Sequence, residues 1–182
     1  MAVILLDMDD VLADFEKAFF QRWRSLYPDL FFIPLDQRDR FYVELQMPPE
    51  LREKARAIKR EPGFFLNLEP LPGAPEAARE MLALGHEVFI CTAPITACAT
   101  CPMEKFQWAA RHLGPEWPKR IHISSDKTMV RGDFLVDDKP EVTGLMLPVW
   151  EHVLYDRPYN RAVAGKRRIL DWRGDWRSVL GL

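Results

Sequence analysis

The sequence predicts an α/β fold: a parallel β-sheet with helices on both faces, interrupted after its first strand by a small helical insertion. Three features carry that expectation. Short apolar runs alternate with amphipathic helical stretches from about residue 71 onward. A similar apolar run stands alone near the start, at residues 3–6. The stretch between them, residues 15–70, reads as helical and offers no second core strand.

Residues 3–6 are branched and continuously apolar, as a strand buried on both faces requires. From 14 to about 27 the spacing turns helical, with Phe15, Ala18, Phe19, Trp23 and Leu26 three or four residues apart. Polar residues 36–40 lead into Phe41, Tyr42 and Val43, and a further helix is expected over 49–60, opened by Pro48 and Pro49 and closed near Pro62 and Gly63. After Leu71, Pro72 and Gly73 come a helix over 75–84 ended by Gly85 and a strand over 87–91. A helix over 102–113 closes at Gly114, and strands follow at 120–123, 134–136 and 149–155. The last element is a helix over 171–180 carrying Trp172, Trp176 and Val179 inward. The domain reading is a core of residues 1–14 and 71–182 with a helical cap of residues 15–70.

Composition limits the function classes. The 182 residues are 48% hydrophobic and 29% charged, enough for a sizeable core under a solvated surface. With 25 basic against 27 acidic residues the net charge is -2, so no global field attracts a nucleic-acid polymer or a membrane surface. The first apolar run lacks a basic flank and stops at Asp7, which fits neither a signal peptide nor a membrane span, and a cytoplasmic location is expected. Cys91, Cys98 and Cys101 are an odd set that argues against a disulfide framework. Cys98 and Cys101 have the spacing of a zinc or redox pair, but no second pair completes a zinc site, and they read as thiols near a helix start.

In an open parallel sheet, ligands bind beyond the carboxyl ends of the strands. Four stretches place polar groups there: Asp7, Asp9 and Asp10 after the first strand, Thr92 after the second, Lys127 shortly after the third, Asp137 and Asp138 after the fourth. Alternation lets Asp7 and Asp9 share one space while Met8 points into the core. Crowded carboxylates repel unless a cation sits among them, and Mg2+ suits hard oxygen ligands, with Asp7 and one or both of Asp137 and Asp138 the natural ones. A carboxylate can also attack phosphorus, and Asp9 is placed to protonate a leaving alkoxide and later activate water. Thr92 and Lys127 could hold the transferring phosphate oxygens.

Asp7-Met8-Asp9-Asp10-Val11-Leu12, Thr92, Lys127 and Asp137-Asp138, in that order, resemble the four motifs of the haloacid dehalogenase-like phosphohydrolases. Phe64-Phe65-Leu66-Asn67-Leu68-Glu69-Pro70-Leu71-Pro72-Gly73, Phe89-Ile90-Cys91-Thr92-Ala93-Pro94-Ile95, Cys101-Pro102-Met103-Glu104-Lys105 and Trp150-Glu151-His152-Val153-Leu154 narrow the resemblance to the 5'(3')-deoxyribonucleotidases. The resemblance implies a three-layer Rossmann-like core and hydrolysis of deoxyribonucleoside monophosphates. It implies Asp7 as nucleophile, Asp9 as acid/base, and Asp7, the Asp9 carbonyl and Asp138 as Mg2+ ligands, with Asp137 a further candidate. It further implies that phosphate is held at Thr92, Ala93 and Lys127, and the base between Phe15, Phe41, Tyr42, Val43 and the position of Lys59. Read from the residues alone, these aromatics could equally be packed inside the insertion. The implied partner is a small nucleotide, with a homodimer implied by the resemblance alone.

Three positions depart from the family pattern. Asp10 stands where Gly is usual, a change that fits if the turn keeps φ negative. Ala93 replaces a frequent Ser, and Lys59 replaces a base-stacking Trp, which bears on substrate preference. The alternative enzyme is a phosphatase for another small ester such as a sugar phosphate, with the aromatic-rich insertion favouring a planar base. A phospho-receiver switch also gathers acids, Thr and Lys around Mg2+, but its phosphorylated Asp follows a middle strand, where this chain has Thr92. Arg38 and Arg40 read as solvated surface, or as helpers of phosphate entry.

Overall fold

A computed structural model describes residues 1–182. Six parallel strands form one sheet in the order β3-β2-β1-β4-β5-β6. They are β1 (Val3–Leu6), β2 (Glu87–Thr92), β3 (Ile121–Ile123), β4 (Phe134–Asp137), β5 (Glu151–Tyr155) and β6 (Arg168–Ile169). The helices are α1 (Phe15–Leu26), α2 (Val43–Gln46), α3 (Arg52–Ile58), α4 (Ala74–Ala83), α5 (Cys101–His112) and α6 (Trp176–Leu180).

Strand β1 is central because its residues can be buried on both faces. Ile4 and Leu6 join the large apolar cluster on one side, while Leu5 meets Cys91, Leu135 and Trp150 on the other. Its register sets Leu6 beside Ile90 and Val136, so the residues just beyond all three strands converge. The chain leaves β1 toward β2 on one side and returns through β4 on the other, which creates a crevice at the carboxyl edge.

Between β1 and α4 the chain builds a smaller apolar cluster from Phe19, Phe20, Trp23, Ile33, Val43, Met47, Ala55 and Ile58. Its two ends are held together where they leave the sheet: Asp14 N donates to Glu69 O at 2.8 Å and Leu71 N to Leu12 O at 2.8 Å. The returning chain is also tied to α5, since the buried Glu104 carboxylate accepts from the backbone N–H groups of Gly63, Phe65 and Leu66 at 2.7, 3.0 and 3.3 Å.

Three element expectations change. The last helix spans only Trp176–Leu180: Asp171 accepts from Arg173 N at 2.7 Å, a local bond that closes a turn in place of a helical one, and Gly174 follows. Trp172 is buried all the same, its Nε1 donating to Val11 O at 2.6 Å. Strand β5 starts at Glu151, leaving Val149 exposed, and the helix expected over 49–60 opens as a 3-10 turn, Pro49–Leu51. No helix is long and apolar enough to cross a membrane.

Candidate active site

At the carboxyl edge, Asp7, Asp9, Thr92, Ala93, Lys127, Asp137 and Asp138 line one cavity of about 400 Å³ together with Phe15, Phe41, Tyr42, Val43 and Lys59. Every site residue expected from the sequence therefore reaches the same space. Met8 is fully buried in the core between Asp7 and Asp9, as alternation requires.

Lys127 is buried at the centre of the acids, its Nζ 2.8 Å from Asp7 Oδ1 and 2.6 Å from Asp137 Oδ2. Burial opposes its charge, yet Asp137 and Asp7 outweigh burial and hold its ammonium above the ordinary lysine range. Asp7 Oδ1 also accepts from Met8 N at 2.7 Å, and Asp137 Oδ1 from Lys139 N at 2.8 Å. Tyr159 donates its hydroxyl to Asp138 Oδ2, whereas Asp138 Oδ1 is buried without a partner.

Burial raises the Asp7 carboxyl, with Lys127 opposing it, and raises the Asp138 carboxyl well above its ordinary value, with Asp137 and Asp7 adding to the effect. Ligand oxygens of Asp7, Asp137 and Asp138 lie within 4.8 Å of one another. Three buried carboxylates against one ammonium, with an orphaned oxygen on Asp138, form a donor set that fits a divalent cation.

Beside this cluster, Lys105 of α5 is completely buried and donates to Asp9 Oδ2 and Thr92 Oγ1, both at 2.8 Å. Asp9 Oδ1 is buried with no partner. Thr92 is buried at the end of β2, while Ala93 is exposed.

The aromatic wall has two parts. Phe15 packs on Phe64 and Phe65 at centroid distances of 5.4 and 6.2 Å, and Val43 is buried in the smaller apolar cluster. Phe41 contacts Tyr42 and Tyr159 edge-on at 4.9 and 5.9 Å, with Tyr42 half exposed. Lys59 is buried and its Nζ lies 2.7 Å from Glu44 Oε2, so an ion pair stands in this part of the wall.

Two readings are corrected. Arg38 is only 2% exposed: it donates to the buried Glu16 carboxylate at 2.5 Å and to Gln46, a pairing that a sequence of charges does not reveal. Arg40 is exposed. Asp10 has φ 58°, in the left-handed region and not at negative φ. Asp is among the few residues that tolerate it, because its short polar side chain bonds locally. Here Asp10 Oδ1 accepts from Glu16 N at 3.0 Å, and Arg157 donates through Nε to the Asp10 carbonyl at 2.9 Å with its Nη2 3.5 Å from the carboxylate.

The chain matches, over residues 1–179, the family described as 5' nucleotidase, deoxy (pyrimidine), cytosolic type C protein. It belongs to that family. A Bordetella pertussis protein is 48% identical over 178 residues, covering 98% of this chain and 95% of its own. The human mitochondrial 5'(3')-deoxyribonucleotidase is 43% identical over 97% of this chain and 81% of its own, and the human cytosolic type 43% over 97% and 92%. A solved haloacid dehalogenase family hydrolase from Deinococcus radiodurans shares the fold, with a TM-score of 0.62 at 18% identity over 98% of this chain and 94% of that one. Membership in the deoxynucleotidase family removes the receiver-switch reading.

Lys105, Tyr159 and Arg157 touch the site without having been singled out for a role. Lys105 had a legible signal: with Cys101, Trp108 and Ala109 it lies on the buried stripe of α5, where a lysine needs a partner. Arg157 and Tyr159, at the start of and within a short 3-10 turn after β5, carried none. The three cysteines are free and buried, Cys101 opening α5, and burial pushes the Cys91 thiol up to about 12.

Proposed function

We propose that this protein is a Mg2+-dependent phosphatase of deoxyribonucleoside monophosphates, with Asp7 as covalent nucleophile. The observation that carries the proposal is that one cavity joins Asp7, Lys127, Asp137 and Asp138 to the wall of Phe15, Phe41 and Tyr42. The names of the human relatives support the same substrate class.

Residues 15–70 act as a cap over a core of 1–14 and 71–182, with the base held among the aromatics and the phosphate at Thr92, Ala93 and Lys127. Mg2+ would be held by Asp7, the Asp9 carbonyl and Asp138, where it would offset the charge of the crowded carboxylates and the phosphate. Asp138, with an oxygen to spare, suits this role better than Asp137, whose oxygens are engaged by Lys127 and Lys139 N.

An Asp7 oxygen bonds to phosphorus as the bond from phosphorus to the nucleoside oxygen breaks, and Asp9 passes its proton to that oxygen. Water then attacks the aspartyl phosphate, gives a proton to Asp9, and inorganic phosphate departs with the Asp7 carboxylate restored. The free thiols suit a reducing compartment, and we place the enzyme in the cytoplasm.

A panel of 5' and 3' monophosphates with ribose and deoxyribose tests the assignment, alongside Asp7→Asn, expected to abolish nearly all turnover. A second reading, a sugar-phosphate phosphatase, draws on the Lys59–Glu44 pair, which offers charges where a stacking face is expected. Inactivity on every nucleotide with turnover of sugar phosphates selects that reading. Normal turnover in Asp7→Asn would end the covalent mechanism.

A further inference from the structure

We propose that Lys105 is a positioning residue that decides which oxygen of Asp9 carries the catalytic proton and which way the Thr92 hydroxyl donates. The inference rests on the reading of Asp9 as the acid/base.

An ammonium has three N–H donors and no acceptor. Lys105 places one on Asp9 Oδ2 and one on Thr92 Oγ1, both at 2.8 Å, while its Nζ lies 5.0 Å from the centre of the Phe65 ring. Two of its three donors are engaged, the Phe65 ring lies within cation–π range, and the side chain is wholly buried, so water does not compete for the ammonium.

The two carboxylate oxygens of Asp9 are thereby made unequal. Oδ2 is held by a charge-assisted bond and is the poor site for a proton. Oδ1 accepts no hydrogen bond from the protein, so it is the oxygen left to carry the proton; it is closed to solvent in the free site and exchanges that proton only with a leaving oxygen, and then a water, brought against it by substrate binding. Thr92 Oγ1, acting as acceptor toward Lys105, keeps its own O–H free to donate to a phosphate oxygen. Lys127, by contrast, is engaged with Asp7 and Asp137, so the two buried lysines serve separate halves of the site.

The test compares kcat/KM on a deoxyribonucleoside monophosphate and on p-nitrophenyl phosphate in the presence of Mg2+. In a covalent mechanism this ratio counts steps only as far as departure of the leaving group. A nucleoside alkoxide needs the proton from Asp9; p-nitrophenolate does not. Lys105→Met should therefore lower kcat/KM on the nucleotide by about 100-fold or more, the range of general acid catalysis, and on p-nitrophenyl phosphate by far less. In the Asp9→Asn background it should cost no more on the nucleotide than it costs on p-nitrophenyl phosphate, the part shared by both esters being the Thr92 hydroxyl. That double variant removes both ends of the ion pair, so it also serves where Lys105→Met alone does not fold. Equal losses on the two esters, or a further large loss in the Asp9→Asn background, would overturn the proposal. Unimpaired turnover in Asp7→Asn would instead overturn the underlying covalent reading.

Discussion

Replacing Lys127 by Met tests how the acid cluster is held in the absence of metal. Asp7, Asp137 and Asp138 are all buried, and Lys127 contacts two of them at 2.8 and 2.6 Å. With every acid ionised, three negative charges and one positive leave the cluster at -2; Lys127→Met takes it to -3. Removing one partner from a buried ionic group costs about 3–5 kcal/mol, because the other charge stays behind. For a chain of this size each kcal/mol is worth about 2–4 °C in Tm, so a loss of about 6–20 °C is expected at pH 8 without metal. The sign with pH follows from the carboxyls. Asp7 and Asp138 have raised values in the fold, so the folded protein binds protons more readily than the unfolded chain, and stability is lost as pH rises from the ordinary carboxylate value through the raised one. The deficit of Lys127→Met should therefore shrink as pH is lowered from 8 to 5.5, the direction in which the acids gain protons, and also on adding Mg2+ at pH 8. Thermal denaturation with and without chelator reads all three arms. Equal unfolding temperatures for variant and wild type at pH 8 in chelator would refute the role of Lys127 as counter-ion.

Mg2+ should raise the Tm of the wild type more at pH 8 than at pH 5.5, since protons compete for Asp7 and Asp138; a thermal-shift titration at the two pH values checks this. Burial alone pushes the Glu104 carboxyl up, but bonds from Thr100, Gly63, Leu66 and Phe65 bring it below the ordinary range. Its contribution is thus present above the ordinary glutamate value and lost as pH falls through the lowered one. Glu104→Gln should cost about 1–3 kcal/mol at pH 7 by chemical denaturation, with the gap narrowing in acid. Burial also raises the Asp10 carboxyl well above its ordinary value, with Arg157 the main opposing charge. Arg157→Met should therefore destabilise the wild type more than an Asp10→Gly background, where φ 58° is comfortable, by a coupling of about 0.5–3 kcal/mol in a double-mutant cycle.

The strands legible in the sequence were those whose apolar residues outnumber their polar ones. Strand β6 is two residues long and emerges from Lys166, Arg167 and Arg168, so only Ile169 signals burial. The acids of the site were legible because each stands at or within a few residues of the carboxyl end of a strand, and strand order alone sends them to one edge. Contacts made by side chains from distant segments were not. Arg38 looks like a surface charge until Glu16, 22 residues away, is found beside it, and Lys59 looks like a lost stacking residue until Glu44 supplies its partner. Asp10 was legible as a departure from Gly, but the backbone angle that makes the departure costly depends on how the chain turns back under Met8.

Glu104 and Lys105 are neighbours on α5, one gripping the backbone of residues 63–66 and the other gripping Asp9 and Thr92. Insertion and core are consequently not interchangeable parts. A stretch corresponding to residues 15–70 transplanted from a relative must end in three N–H groups set to meet the same carboxylate, or the turn of helix that grips Asp9 will lose its abutment. Swapped chimeras that join cleanly at residues 14 and 71 can therefore fold and still be poor catalysts, with the fault lying in a helix that neither junction touches.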